Sequence, residues 1–398
     1  MKVYLDYAAT TPIAKEVAKA MALYLSKDFG NASSLHQWGQ KTREAIEVAR
    51  QQLVKFLNCS STEVFFTGSA TEADNLAIFG LIKAARKNGI VKPHVITSAI
   101  EHPAVLEPIK RLEKLGEIEA TYLPVGREGT VKVEDVERAI NLKTILISIM
   151  YANNEIGTVQ PIAEIGHLLQ TLRQVQGKLP TKIYFHTDAV QAANFLDCDV
   201  KKLGCDLLTL SGHKIYGPKG VGALYVKKGA AIEPIMFGGH QESGLRPGTE
   251  NAAAIVGFGE AINRIKNQES RIRNNEKIKK MRDRLIDGIL QRISGASLNG
   301  SRDNRLPNNA NISFSGVEGE SILMALDQKG VAVSTGSACA SGSLEPSYVL
   351  MALGLSHQQA HGSIRFTLGQ YTTQEEINYV LKALPEVIKR LRALSPLK

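Results

Sequence analysis

Leu207-Leu208-Thr209-Leu210-Ser211-Gly212-His213-Lys214-Ile215-Tyr216-Gly217-Pro218-Lys219-Gly220 decides how this chain folds. Leu207 to Ser211 reads as a short apolar strand, and the glycines that follow break it into a turn. Lys214 falls inside that turn, at the strand's carboxyl end. Val221 to Val226 is the next strand candidate, close enough to return antiparallel. Upstream, apolar runs at Val64–Thr67, His94–Ser98, Thr121–Val125, Thr144–Ile149 and Ile183–His186 are separated by helical patterns. Strands spaced by helices predict an α/β fold with a mainly parallel sheet covered on both faces. Ligands collect beyond the carboxyl ends of the strands in such sheets, which is where Lys214 lies.

Past the last of these strands the pattern changes. A polar-faced helix is predicted from about Asn251 to Arg292, bridging two lobes. Shorter elements follow at Asn311–Phe314, Val331–Ser334 and Ile364–Leu368, giving a small α+β lobe. The final helix starts on Thr373 with Glu376 three residues later, a capping box. Ile377, Val380, Leu381, Leu384, Val387, Ile388 and Leu391 form its apolar stripe, with Pro385 expected to kink it. Residues 331–344 read as a strand running into a mobile loop of Ser, Thr, Gly and Ala around Cys339.

The 398 residues are 43% hydrophobic and 22% charged, as expected of an ordinary globular chain. An acid at position 6 interrupts the N-terminus before any apolar run, so no signal peptide is expected. No apolar run reaches the roughly 18–20 residues of a membrane span. Four scattered cysteines (Cys59, Cys198, Cys205, Cys339) suit a reducing cytoplasm and no disulfide framework, and their spacing gives no zinc motif. The net charge of +9 is dispersed, without a run of five basic residues, so direct nucleic-acid binding is not expected.

Other strand ends carry chemistry too. Ile183-Tyr184-Phe185-His186-Thr187-Asp188-Ala189-Val190-Gln191 places a carboxylate twenty-six residues before Lys214. An acid there can keep a pyridine nitrogen protonated, so that the ring acts as an electron sink, and Gln191 can bond a ring hydroxyl. Gly68-Ser69-Ala70-Thr71-Glu72 is a strand-to-helix turn suited to a phosphate. Ser211, His213 and Thr249 are further candidates for phosphate contacts. His102, in Glu101-His102-Pro103, sits where an imidazole could stack on a flat ring and move protons.

The chain resembles the cysteine desulfurases of the NifS/IscS type, within the fold-type I pyridoxal-phosphate enzymes, over essentially its whole length. Tyr4 to Pro12, His186 to Gln191, Ser211 to Gly220 and Gly336-Ser337-Ala338-Cys339 carry the likeness. It implies a mostly parallel seven-stranded sheet sandwiched by helices in a large domain, 14–262, and a small domain from 1–13 and 263–398. Lys214 then resembles the Schiff-base lysine, Asp188 the pyridinium partner, Gln191 the ring-hydroxyl contact and His102 the stacking histidine. Asn153 resembles a polar residue beside cofactor and substrate, and Ala70, Thr71, Ser211 and His213 the phosphate cup. Thr249 resembles a threonine that reaches the phosphate across a homodimer interface, and Arg365 the arginine that grips the substrate carboxylate.

The resemblance implies removal of sulfur from L-cysteine, leaving alanine, with Cys339 as the nucleophile that gains a persulfide. A thiol of ordinary pKa, ~8.5, needs local activation for that step. The sulfur would pass to an iron–sulfur scaffold or a tRNA-thiolation protein, and Cys339 could share an iron–sulfur cluster with a partner; no resident metal is implied. Two departures bear on this. The sequence ends at Leu394-Ser395-Pro396-Leu397-Lys398 without the extension many IscS proteins use to dock a scaffold, and Ser243 stands where an arginine is common. Alternatives are a selenocysteine lyase, another aminotransferase-like enzyme of this fold, which would give Cys339 no task, and a catalytically idle sulfur carrier or nucleic-acid-binding module, suggested by the basic charge, which would give Lys214 and Asp188 none.

Overall fold

The computed structural model describes residues 1–174, 182–266, 268–335 and 345–395. Its strands are β1 (Val3–Tyr4), β2 (Val64–Thr67), β3 (His94–Ser98), β4 (Glu119–Leu123), β5 (Thr144–Ser148), β6 (Tyr184–Asp188), β7 (Leu207–Ser211), β8 (Gly222–Val226), β9 (Ala296–Leu298), β10 (Asn309–Phe314), β11 (Val331–Ala332) and β12 (Ser363–Thr367). Seven of them form one sheet in the order β2-β8-β7-β6-β5-β3-β4. Neighbours from β7 to β4 run parallel, whereas β8 is antiparallel to both β7 and β2. The short glycine turn after Ser211 explains the reversal, because a parallel return needs a crossover of a dozen or more residues.

Both faces of this sheet are covered. Val95, Tyr184, Leu207 and Leu224 pack on one side with the helices Ala70–Lys87 and Pro103–Lys114. Ile96, Phe185, Leu208 and Ala223 point to the other, where Gln37–Leu57, Ile162–Gln174 and Ala252–Ile265 lie. Adjacent strand residues face opposite ways, so double-sided burial makes the strands continuous apolar runs. Each fully buried aliphatic or aromatic side chain there contributes roughly 1.5–3 kcal/mol.

A second, antiparallel sheet has the order β12-β10-β9, and β1 pairs with β11 in parallel. The N-terminal strand is thereby joined to the C-terminal elements, with Asp6 bridged to Thr367 as well. The single bridging helix expected over 251–292 is two helices, Ala252–Ile265 and Gln268–Arg292. The first packs on Lys15–Ser26 and Gln37–Leu57, the second on β9, β10 and Gln374–Leu394; each half answers to a different set of neighbours. The last helix has the expected capping box and runs on through Pro385. β1 and β9 have two and three residues, too short for periodicity to reveal.

Candidate active site

A cavity of about 490 Å³ opens at the carboxyl ends of β6 and β7. Nine of the expected residues line it: Ala70, Thr71, His102, Asp188, Gln191, Ser211, His213, Lys214 and Arg365. A larger space of about 620 Å³ lies around Arg50 and Glu242 and touches none of them.

Lys214 is carried by a single tight turn, Gly212–Lys214, directly after β7. Tyr216 follows with φ 66°, a conformation that costs a side-chain-bearing residue about 1–3 kcal/mol. Its buried ring, its N–H donated to Thr11 Oγ1 (2.8 Å) and its hydroxyl accepting the Gln370 N–H (2.8 Å) hold it there. Lys214 Nζ donates to the carbonyls of Ala8 (2.6 Å) and Ala9 (2.8 Å), and Gln191 Nε2 also donates to Ala8 (3.0 Å). The N-terminal segment is therefore a wall of the cavity.

Asp188 ends β6, nearly buried, with Oδ1 accepting the Val190 N–H at 2.9 Å. Burial raises its carboxyl to about 6, while that N–H and the Lys214 charge act in the other direction. Burial and the same lysine depress His102 and His213 to about 4, so both imidazoles are neutral near pH 7. His102 caps the helix Pro103–Lys114, its Nδ1 accepting the Ala104 N–H at 3.1 Å.

Opposite them, Ser69 caps the helix Ala70–Lys87 by accepting the Glu72 N–H (3.1 Å), and Ala70 and Thr71 begin it. First-turn N–H groups lack intrahelical acceptors and favour an anion. Gly222 lies against this turn so closely that a Cβ would meet Ser69 C at 2.6 Å and Ala70 N at 2.8 Å. Glu72 holds the turn by accepting the Gly68 N–H (2.8 Å) and pairing with Arg246 (2.7 Å).

Arg365, on β12, brings the smaller sheet to the same cavity. Its Nη2 donates to Asp6 Oδ1 (2.8 Å) and its Nη1 to the Asn154 carbonyl (3.0 Å), while Nε is buried without a partner among the described residues.

Three expectations fall elsewhere. Asn153 is fully buried behind the wall: its Nδ2 donates to the Ile100 carbonyl (2.8 Å) and its Oδ1 accepts the N–H groups of Glu155 (2.8 Å) and Ile156 (3.0 Å). The neighbouring Asn154 lines the cavity instead, with a buried Oδ1 that has no partner among the described residues. Tandem asparagines offer a sequence no means of choosing between them. Thr249 is exposed and outside this cavity, and Cys339 lies outside the described residues. Ser243 is exposed with φ 57°, beside Glu242, which anchors the loop through a bidentate pair with Arg50. Ala8, Ala9, Asp6 and Asp74 are wall or support residues that motif reading did not assign, since each acts through a long-range contact.

The class-V aminotransferase pattern matches residues 3–380. A cysteine desulfurase IscS of Dictyoglomus turgidum is 52% identical over 398 residues, covering 100% of this chain and 97% of that one. The chain belongs to the cysteine desulfurases of the class-V aminotransferase family. A solved NifS-like protein superposes on this cysteine desulfurase fold with a TM-score of 0.89 at 35% identity, covering 98% of this chain and 100% of that one. SspA in complex with cysteine gives a TM-score of 0.79 at 37% identity, covering 94% and 100%. The family is one of pyridoxal-phosphate enzymes. The residues present fit that group: helix N–H donors suit a phosphate, Asp188 a protonated ring nitrogen, and Lys214 an aldehyde carbon.

Proposed function

We propose that this protein removes the sulfur of L-cysteine, releasing alanine and leaving a persulfide on Cys339. The observation that carries the reading is one cavity that joins Lys214, Asp188 and the helix start at Ala70 to the buried Arg365. Ala70, Thr71, Ser211 and His213 would hold the phosphate of pyridoxal phosphate, Asp188 its ring nitrogen, Gln191 its hydroxyl, and Lys214 would carry it covalently. When bound, the cofactor supplies an electron-poor ring that stabilises charge at the amino acid's α carbon.

The chain's own residues do the rest. Arg365, braced by Asp6 and the Asn154 carbonyl, orients the substrate carboxylate as a planar fork. The Lys214 amine accepts the α proton, and His102, neutral and held by its cap bond, covers the ring. The Cys339 thiolate forms an S–S bond to the substrate sulfur as the substrate's C–S bond breaks. The sulfur left on Cys339 and the alanine together balance the cysteine consumed. Among the described residues, Cys59, Cys198 and Cys205 do not compete as nucleophiles: burial pushes the first two thiols up to about 12 and Cys205 higher still. These three unpaired thiols also support a reducing, cytoplasmic setting.

The reading includes a homodimer, in which Thr249 serves the neighbouring site, and a protein that accepts the persulfide for iron–sulfur assembly or tRNA thiolation. The exposure of Thr249 and the anchoring of its loop through Arg246 and Glu242 support the first. The domain division at 14–262 is supported by the pairing of β1 with β11. Among the described residues no helix is long and apolar enough to cross a membrane.

The test incubates the protein with L-cysteine and follows alanine, the visible cofactor band and the mass of the peptide carrying Cys339. Wild type should release alanine and gain one sulfur there; Cys339→Ser should keep the band and lose both. Alanine release by Cys339→Ser at the wild-type rate refutes the nucleophile, and a colourless wild type refutes the cofactor.

A further inference from the structure

Asp74 has no task in the chemistry above, yet it forms part of the cavity wall. It lies one turn into the helix Ala70–Lys87, is 1% exposed, and neither carboxylate oxygen has a well-formed hydrogen bond among the described residues; only the Thr209 side chain favours its anion. The nearest ring nitrogen is His186 Nε2, 3.5 Å from Oδ1. His186 is fixed in turn by Ser148 Oγ (2.8 Å) and Thr209 Oγ1 (3.1 Å). His186 and Asp188 are two residues apart on β6 and share one face of the strand. Helix and strand thus set two buried carboxylates, Asp74 and Asp188, against the wall of one cavity.

Few charges face them. Glu101, after β3, adds a third acid. Lys214 and Lys219 after β7, and Arg365 on β12, are the cations on the cavity wall, with His102 and His213 beside them. Arg365 is paired with Asp6. A buried anion lacking a partner is strongly disfavoured, and two carboxylates sharing a site do not both ionise.

We infer that Asp74 is a positioning residue for the reaction, a neutral carboxylic acid behind Asp188 that leaves this buried group a single negative charge, carried by Asp188. Burial, and then the charge of Asp188, push the Asp74 carboxyl well above the usual carboxylate range, against the opposing pull of the Thr209 side chain. Asp188 rises only to about 6, because the Val190 N–H and Lys214 favour its anion. His186, depressed to about 3 by burial, supplies no compensating cation. Nor is this a metal site: among the described residues no group of three or more His, Cys, Asp or Glu side chains is placed to hold an ion. A neutral acid puts no second charge beside Asp188 and leaves a dipole in its place, which keeps Asp188 ionised in a poorly solvated place. That function rests on the reading that the cavity takes pyridoxal phosphate; the protonation of Asp74 does not.

Two measurements separate the claims. In the cofactor-free protein near neutral pH, the infrared difference between wild type and Asp74→Asn should show the loss of a protonated-carboxyl C=O band. Loss of a carboxylate band instead overturns the inference, whatever the cofactor does. Pyridoxal 5′-phosphate is then titrated into cofactor-free wild type, Asp74→Asn and Asp74→Ala, and the visible band is followed against pH. Asp74→Asn, neutral and dipolar, should bind within about threefold of wild type, whereas Asp74→Ala should bind about tenfold more weakly. The band's pH midpoint should stay fixed in Asp74→Asn and move by about one unit in Asp74→Ala. Equal weakening in both variants means that a charge is required, and no change in Asp74→Ala means that the residue has no such function; either result overturns the inference. Wild type that binds no cofactor while the infrared band is present refutes the proposed function instead.

Discussion

Replacing Arg365 with lysine should separate substrate recognition from cofactor binding. The guanidinium is about 2% exposed and spends two of its five N–H donors on Asp6 Oδ1 and the Asn154 carbonyl. Three donors remain, including the buried Nε, which has no partner among the described residues, enough to grip a carboxylate with two bonds. A lysine offers three donors at one point, and the two fixed acceptors take two of them. The variant therefore keeps a charge but loses at least one charge-assisted hydrogen bond, about 1.5–3 kcal/mol. At the upper end this is roughly a 10²-fold loss in cysteine affinity. Alanine release at graded cysteine concentrations should show KM raised by about that factor, with the visible band unaltered. Arg365→Ala should be worse, because Asp6 is left without its partner. A KM for Arg365→Lys within about twofold of wild type would show that the guanidinium fork does not hold the substrate, whatever the charge contributes.

Gly222→Ala tests the phosphate turn: its Cβ would stand 2.6–2.9 Å from backbone atoms of Ser69, Ala70 and Leu210, so the turn must shift. Pyridoxal phosphate affinity should fall about tenfold or more, while Gly126→Ala, at an open position, leaves it unchanged; equal affinities would remove the turn from the site. Glu101 makes stability depend on pH, since burial raises its carboxyl from 4.5 to about 8. The folded protein keeps a proton that the unfolded chain releases, so this contribution is complete below pH 4.5 and declines as pH rises toward 8. Thermal unfolding of Glu101→Gln, which stays neutral, should lose less Tm than wild type across that range; matching slopes would refute the assignment.

Much of the site was legible because its residues sit at strand ends. Lys214, Asp188, His102 and the Ala70–Thr71 turn each follow an apolar run, and a parallel sheet gathers those ends at one edge. Arg365 could be named only by resemblance, since nothing local to β12 shows that the antiparallel sheet meets the same cavity. Asn153 and Asn154 show the limit of motif reading. One residue's difference in backbone direction sends the first amide into the loop's own hydrogen bonds and the second to the cavity wall. Asp74 was invisible for a related reason: an acid early in a helix reads as favourable to the helix dipole, and only packing turns it inward beneath β6.

The sequence by itself determined the alternation of strands and helices, the antiparallel return after Lys214 and the residue types that suit the cofactor. These are encoded locally, in hydrophobic period and turn chemistry. Tertiary structure alone decided that Ala8 and Ala9 accept the Lys214 ammonium, that Asp6 braces Arg365 and that two carboxylates share one buried face. Such contacts join residues up to 359 positions apart. Their effect on charge depends on how much water is excluded around them, which no linear pattern specifies.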